Sequence, residues 1–285
     1  MLSSVFSARN KSHYPYLPID LVIVRNGASD GSIVIHERRR KTELDLKDYK
    51  KKLAKVHNSK WRLTKFGQLQ AKIAGKWIVE NFPNRFNAYL TGEYVRSLET
   101  AALLNLEGAK WIPSIYLRPR SFGSFSELDR RFSEAEFEQA MKEKSRDSFY
   151  WTPPNGESIA HLTLRTERVI HWIRNRVPET GAVIIVTHKD VMECIRIRME
   201  RISQMEYMSK ISQPPQYNKL HYCSILQYTR RNPFTNEVVP YYEWMRILTP
   251  WLGKHSMPTK FQKIARQHYG NAELMAEVSN VPHIL

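Results

Sequence analysis

Ala182-Val183-Ile184-Ile185-Val186-Thr187-His188 is the stretch that decides the fold. Its apolar run follows Gly181, and its length and β-branched content predict a strand that is buried on both faces. A second run, Leu21-Val22-Ile23-Val24, likewise ends on polar residues, Arg25-Asn26-Gly27. Such strands, separated by segments of helical period, are typical of an α/β fold with a parallel sheet. We therefore predict a three-layer sandwich in which helices flank a mostly parallel central sheet.

The remaining elements are predicted around these two strands from apolar spacing and turn residues. Thr64 is predicted to open a helix in which Leu69, Ile73 and Trp77 form the buried stripe, with Ile78 beside it. A helix over 94–106 is expected to turn Leu98 inward. We also predict strands at 86–90, 115–117, 220–228 and 241–248, and helices near 133–145, 191–199 and 259–268. A longer helix, opened by Glu157 or Ser158, is predicted to run to about Arg176.

The 285 residues, 42% of them hydrophobic, suffice for a sizeable core. We divide the chain into an N-terminal extension (1–19), a domain (20–249) with an insert (31–62), and a C-terminal tail (250–285). No apolar stretch reaches the length of about 18 residues that a membrane span needs. Cys194 and Cys223 are interpreted as small core residues of a protein in a reducing compartment.

The chain carries a formal net charge of +16, much of it in the insert. Residues 38–62 contain eleven Lys or Arg and three acidic residues, a net charge of +8. This basic insert predicts contact with RNA phosphates or with an acidic protein partner, and the alternative is a solvated charged loop. Only Tyr49 and Trp61 interleave with the basic residues, which argues against base stacking on single strands.

The N-terminus contains Arg9 and Lys11 and has no acidic residue before Asp20. This composition resembles a weak mitochondrial targeting segment. It lacks the apolar region of a secretory signal. We predict a mitochondrial location, with the cytoplasm as the alternative.

Polar residues follow several of the predicted strands. Arg25 and Asn26 follow the first strand, His188 follows the strand at 182–186, and Arg96 begins the helix after the strand at 86–90. Ligands of open α/β sheets bind beyond the carboxyl ends of the strands. Guanidinium and imidazole groups at one rim suit a phosphoryl group, because charged hydrogen bonds are the strong ones. We predict a pocket for phosphate or a phosphate ester, with no metal and no cofactor.

Five segments in this order resemble the histidine phosphatase superfamily, in the branch that holds the cofactor-dependent phosphoglycerate mutases and related phosphatases. The stretch 21–27 looks like the family's Arg-His-Gly signature, and 61–71 looks like Leu-Thr-x-x-Gly-x-x-Gln-Ala. The stretch 96–101 matches Arg-x-x-x-Thr-Ala, 154–158 matches Pro-x-Gly-Glu-Ser, and 186–188 matches the second histidine motif. The resemblance covers roughly residues 20–230 and implies a phosphoglycerate mutase-like fold.

In that family the first histidine attacks phosphorus and becomes a phosphohistidine, while a glutamate protonates the leaving group. The resemblance implies phosphate-binding roles for Arg25, Arg96 and His188. It also places Asn26 where the nucleophile belongs and Pro119 where the glutamate belongs. An amide nitrogen is not a nucleophile at neutral pH, and proline has no proton to donate. The sequence therefore predicts a catalytically inactive family member.

Several alternatives stay open at this point. Asn26 either fills the old histidine position or helps to line a retained anion pocket. Asp190 and Glu127 are the candidates for a replacement acid, and Ser29 and Thr187 are weak candidates for a replacement nucleophile. We favour a structural or interaction subunit, of a mitochondrial or RNA-containing assembly. The alternatives are an active phosphomonoesterase with atypical catalytic residues and a sensor of a phosphorylated ligand.

Overall fold

The structure is a computed structural model, and it describes residues 16–32, 47–84, 86–125, 133–212, 218–255, 260–266 and 268–283. A sheet of seven strands runs through this part of the chain, in the order β3-β2-β4-β1-β5-β6-β7. The strands are β1 (Asp20–Arg25), β2 (Ala88–Gly92), β3 (Trp111–Ser114), β4 (Ala182–Thr187), β5 (Ile225–Thr229), β6 (Trp244–Leu248) and β7 (Gln262–Lys263).

Strand direction confirms the predicted α/β class with a mostly parallel sheet. The pairs β3–β2, β2–β4 and β4–β1 are parallel, whereas β5, β6 and β7 continue the sheet in antiparallel pairs. Five of the seven strands therefore point the same way. The helices are α1 (Lys47–Ala54), α2 (Lys65–Asn81), α3 (Val95–Leu103), α4 (Glu134–Arg146), α5 (Ile159–Arg176), α6 (Lys189–Glu200), α7 (Gln204–Tyr207) and α8 (Asn271–Ser279).

Alternate residues of the central strands enter two separate hydrophobic clusters, which gives the three layers. Leu21 and Ile23 of β1 pack with α5 and α6, while Val22 and Val24 pack with α2 on the other face. Strand β4 alternates in the same way. Both faces are apolar because both are covered by helices. Cys194 and Cys223 lie in these two clusters as free, buried thiols.

The predicted starts of two helices are confirmed by their caps. Thr64 Oγ1 accepts a hydrogen bond from Gly67 N at 2.9 Å, and Ser158 Oγ accepts one from His161 N at 3.0 Å. Each side chain satisfies a backbone donor that the first turn of a helix leaves unpaired.

The predicted buried stripes of α2 and α3 are partly wrong. Leu69 is 52% exposed and Leu98 is 38% exposed. Helix α2 instead buries its small residues Ala71, Ala74 and Gly75. A Cβ at Gly75 would lie 2.2 Å from the carbonyl oxygen of Leu104, so the two segments approach closely and larger side chains turn outward. Backbone proximity, rather than apolar size, decides which face is buried here.

Two other predicted elements have a different secondary structure from the one expected. Residues 115–117 form a 3-10 helix, and the strand is the preceding segment, β3, whose Pro113 is tolerated because β3 lies at the edge of the sheet. The helix predicted at 259–268 is wrong over its described residues, because Gln262 and Lys263 pair with β6 as β7. The tail therefore extends the sheet before it forms α8. No helix of the described segments is long and apolar enough to span a bilayer.

Candidate functional site

The ends of β1 and β4 bring two predicted site segments together. Arg25 and Thr187 are register partners in the sheet, and Asn26 N donates a hydrogen bond to Thr187 O at 2.7 Å. His188 follows directly as the residue that precedes α6. The first and second histidine-motif segments of the resemblance are therefore neighbours at one rim of the sheet.

The loop after β1 is held by close backbone approach. Gly27 N donates to Thr100 Oγ1 of α3 at 3.0 Å. A Cβ at Gly27 would lie 2.6 Å from Gly67 O, and a Cβ at Gly67 would lie 2.0 Å from Ala28 O. Only glycine fits at these two positions without a shift of the backbone. The start of α2 therefore fixes the path of the chain past Asn26.

The guanidinium of Arg25 lies at this rim, beyond the end of β1. Its Nη1 donates to Leu220 O at 2.6 Å, and its Cζ lies 3.9 Å from the centroid of the Tyr222 ring. Its Nε is buried without a hydrogen-bond partner in the described part of the chain. Burial lowers the pKa of Arg25, because removal from water disfavours the charged form.

Arg96 enters the same rim from the first turn of α3. Its Nη1 donates to Asn58 O at 2.7 Å, and its Cζ lies 4.8 Å from the centroid of the Tyr94 ring. Burial lowers the pKa of Arg96 to about 10. Asn58 belongs to the insert, so the end of the insert lies directly against one of the predicted phosphate-binding arginines.

His188 is 5% exposed and lies among these groups. Its Nε2 is 3.1 Å from Ser97 Oγ, and its ring meets the Tyr94 ring edge-on at 5.7 Å. Burial lowers the pKa of His188 well below its ordinary value, and the nearby charges of Arg96 and Arg25 lower it further. The imidazole is therefore neutral at neutral pH, and an anion beside it would favour its protonation.

Asn26 is 4% exposed and directly follows Arg25. Its Nδ2 donates to the carbonyl oxygen of Gly27 at 2.9 Å. The side chain is thus tied to its own loop. The functional group of this side chain is a neutral amide.

The predicted acids and nucleophiles do not all reach this site. Pro119 contributes its carbonyl oxygen to Arg165 Nη2 at 3.4 Å. Asp190 lies in the first turn of α6, close enough to Arg25 for its charge to be felt there. Glu127 lies outside the described residues. Ser29 Oγ is 3.4 Å from Ser32 Oγ, and Thr187 Oγ1 donates to Leu117 O at 2.9 Å.

Glu193, one turn further along α6, was not predicted from the sequence. This buried carboxylate lies 3.0 Å from Lys189 Nζ. Burial raises its pKa to about 7, with the neighbouring charge of Asp190 adding to the effect. The available signal was Lys189 four residues before it, since side chains at that spacing lie on one face of a helix. Asn58, Ser97 and Tyr222 were overlooked too, because their partners lie far away in the sequence.

The family profile described as histidine phosphatase superfamily (branch 1) matches residues 47–233, more than half of the chain. The matched range begins inside the insert, so Arg25-Asn26-Gly27 precedes it. No curated protein shows significant sequence similarity to the chain.

Solved structures share the fold at low identity. A mycobacterial glucosyl-3-phosphoglycerate phosphatase in its native form has a TM-score of 0.54 at 15% identity, over 80% of this chain and 96% of its own. The alpha-ribazole phosphatase of Shigella flexneri has a TM-score of 0.54 at 16% identity, over 78% and 96%. A putative alpha-ribazole-5'-P phosphatase of Escherichia coli has a TM-score of 0.51 at 17% identity, over 79% and 96%. These likenesses concern the fold, whereas the profile match identifies the family. The chain belongs to the histidine phosphatase superfamily, branch 1.

Proposed function

We propose that this chain is a catalytically silent member of its family that binds phosphate or a phosphate ester and serves as an interaction subunit. The observation that carries the proposal is the setting of Asn26. A neutral amide, hydrogen-bonded to its own loop, directly follows Arg25, and its backbone N–H donates to Thr187 O, next to His188. The cationic groups for an anion are retained there, while the group expected to attack phosphorus is not.

The proposed loss of catalytic activity rests on two positions. The amide of Asn26 has its lone pair delocalised and forms no phosphohistidine-like intermediate. In another enzyme, removing the nucleophile costs about 10⁶-fold in kcat. Pro119 stands where the resemblance places the general acid, and loss of a general acid costs about 10² to 10⁴-fold. Either loss alone would slow turnover severely.

The anion pocket rests on the charges of Arg25 and Arg96. Neither guanidinium forms an ion pair with a carboxylate in the described part of the chain, and burial lowers the pKa of both. Each donates to a backbone carbonyl, which leaves further N–H groups of its planar fork for a ligand. A phosphate would compensate both buried charges and favour protonation of His188.

Isothermal titration of inorganic phosphate tests the pocket. The full chain is expected to bind phosphate, and Arg96→Ala is expected to weaken binding by about tenfold or more, because a charged hydrogen bond contributes about 1.5 to 3 kcal/mol. Arg118→Ala is the matched control, since its side chain is 40% exposed and pairs loosely with Glu157. Equal binding by both variants, or no binding by the parent, would refute the pocket.

The interaction role rests on the basic insert. Lys50, Lys51 and Lys52 are exposed on α1, and the end of the insert is fixed to the domain through Arg62 and Glu99, whose Nη2 and Oε1 are 2.8 Å apart. Because Asn58 of the insert contacts Arg96, an anionic partner on the insert would lie beside the pocket. An RNA-containing assembly is the partner we propose, in mitochondria.

An active phosphomonoesterase is the second candidate, and one observation favours it. Ser97 Oγ is 3.1 Å from the neutral imidazole of His188, the arrangement of a hydroxyl beside its general base. This alternative predicts phosphatase activity in the parent chain that Ser97→Ala removes. The silent-domain proposal predicts no activity in either protein.

A further inference from the structure

A cavity of about 460 Å³ opens at the end of the sheet opposite the candidate site. It lies where β1 and β4 begin, at the register pair Asp20 and Ala182. The candidate site lies where the same strands end, at the register pair Arg25 and Thr187. Five strand steps of about 3.3 Å separate the two ends, roughly 16 Å. The cavity is therefore a separate place for a ligand.

The inner wall of the cavity presents a half-buried carboxylate. Asp20 Oδ1 accepts a hydrogen bond from Gln227 Nε2 at 3.1 Å, and the Thr229 hydroxyl also interacts with this side chain. Burial nevertheless raises the pKa of Asp20, so these neutral partners do not fully replace water around the charge. A ligand ammonium group would supply the missing compensation.

Two arginines supply positive charge to the same cavity. Arg246 donates its Nε to Gln227 Oε1 at 2.8 Å, and its guanidinium lies between the rings of Trp77 and Phe261, with centroid distances of 5.1 and 4.5 Å. Its terminal nitrogens form no hydrogen bond within the described part of the chain. Arg231 lies on the rim, and its charge is felt at Asp20.

The hydrogen bonds from Arg246 to Gln227 and from Gln227 to Asp20 fix the orientation of the amide between the two charges. Opposite charges are thus held a short distance apart before any ligand arrives. Phe82 and Phe261 add aromatic surface to the lining. A site with a carboxylate, a guanidinium and aromatic walls matches a compact molecule that carries both charges and an apolar side chain.

We propose that this cavity binds a free amino acid with an aromatic side chain, as its zwitterion. The ligand ammonium group binds Asp20, and the ligand carboxylate binds Arg246 and Arg231. The side chain lies against Phe82 and Phe261. Since the cavity is independent of Arg25, Arg96 and His188, this ligand is a second one, beyond the phosphate proposed above.

Isothermal titration of L-phenylalanine into the full chain tests the proposal. 3-Phenylpropionate and phenethylamine, which each carry one of the two charges, are the comparison probes. L-phenylalanine is expected to bind with saturation, and each single-charge probe is expected to bind about tenfold more weakly or worse. The proposal is overturned if L-phenylalanine does not bind, or binds no better than these probes.

Variants locate the site. Asp20→Asn and Arg231→Gln are expected to weaken L-phenylalanine binding by about tenfold or more, whereas Arg198→Gln, an exposed arginine elsewhere, is expected to leave it unchanged. Arg96→Ala is also expected to leave it unchanged. Loss of binding in Arg96→Ala with retention in Arg231→Gln would place L-phenylalanine in the other pocket and overturn the proposal. Because Arg231 is exposed, this arm stands even if Asp20→Asn fails to fold.

Discussion

Ser97 Oγ lies 3.1 Å from His188 Nε2, so a buried hydroxyl of α3 is the hydrogen-bond partner of the histidine that precedes α6. The two residues are 91 positions apart in the sequence. Both are buried, and the contact couples the helix that carries Arg96 to the strand end that carries His188. Helix α3 also holds Gly27 through Thr100, and it holds Arg62 of the insert through Glu99. It is the element that assembles the site.

Ser97→Ala is expected to lower the free energy of unfolding by about 1 to 3 kcal/mol, because it leaves a buried ring nitrogen without its partner. Urea unfolding measures this change. Ser145→Ala is the control, since that exposed hydroxyl bonds only to a carbonyl of its own helix. Equal losses of unfolding free energy in the two variants would show that the hydrogen bond to His188 contributes no more than that of an exposed hydroxyl.

His188→Gln is expected to flatten the pH dependence of stability. The folded-state pKa of His188 is depressed, so the unfolded chain binds more protons as pH falls below about 6.5, and the folded state loses stability there. The variant lacks that component and should lose less stability between pH about 7 and about 5. Thermal unfolding at the two pH values measures the difference, and parallel losses in both proteins would contradict the buried neutral state of His188.

Glu193→Gln is expected to change the pH dependence of stability in the direction opposite to that of His188→Gln. The folded-state pKa of Glu193 is raised to about 7, so its contribution is fully present below pH 4.5 and is lost as pH rises through about 7. The variant should therefore lose less stability than the parent over that rise. Chemical unfolding over this rise in pH measures the loss of stability in both proteins. A larger loss in the variant would mean that the ion pair with Lys189 outweighs the cost of burial.

Gly67→Ala is expected to destabilise the chain by about 1 to 3 kcal/mol, because the new Cβ would lie 2.0 Å from Ala28 O and force the backbone apart. Phosphate binding should weaken as well, since this contact fixes the loop that carries Asn26. Gly270→Ala is the control, with its nearest neighbour at 3.5 Å, and should cost less than about 1 kcal/mol. Calorimetric unfolding of the two variants makes the comparison.

Neutralising Lys50, Lys51 and Lys52 to Gln is expected to weaken RNA binding and to reduce its salt dependence, because each phosphate contact releases about one counterion. Neutralising the exposed Lys72, Lys76 and Lys110 is the control with the same charge change. Filter binding of a single-stranded RNA over a range of salt concentrations measures both slopes. The same slope in both triple variants would mean that the insert does not form the RNA contact.

The sequence predicted the parts of the fold that local pattern controls. The apolar runs at 21–24 and 182–186 lie within the observed β1 and β4, and Thr64 and Ser158 cap the helices they were expected to open. These features depend on neighbours within a few residues. The placement of Leu69 and Leu98 depends instead on how closely two backbones approach, which apolar spacing does not encode.

The placement of three candidate residues at one rim was predicted, but their contacts were not. The rim positions of Arg25, Arg96 and His188 followed from strand ends and from the resemblance. That Asn58 meets Arg96 depends on a chain path of 38 residues through α2 and β2, and no local signal marks it. The position of Glu193 beside Lys189 required the helix register to be known. Long-range partners are set by tertiary packing, and one sequence does not reveal them.

Hydrolysis of p-nitrophenyl phosphate by the parent chain, Asn26→His and the double variant Asn26→His/Pro119→Glu tests the central claim most directly. We predict no turnover by the parent above the uncatalysed rate, and measurable turnover by the double variant that Arg96→Ala removes. That result would mean that the site is a preserved scaffold that lacks only its reactive groups. Turnover by the parent chain that is itself removed by Arg96→Ala would contradict the claim and make this chain an active phosphatase.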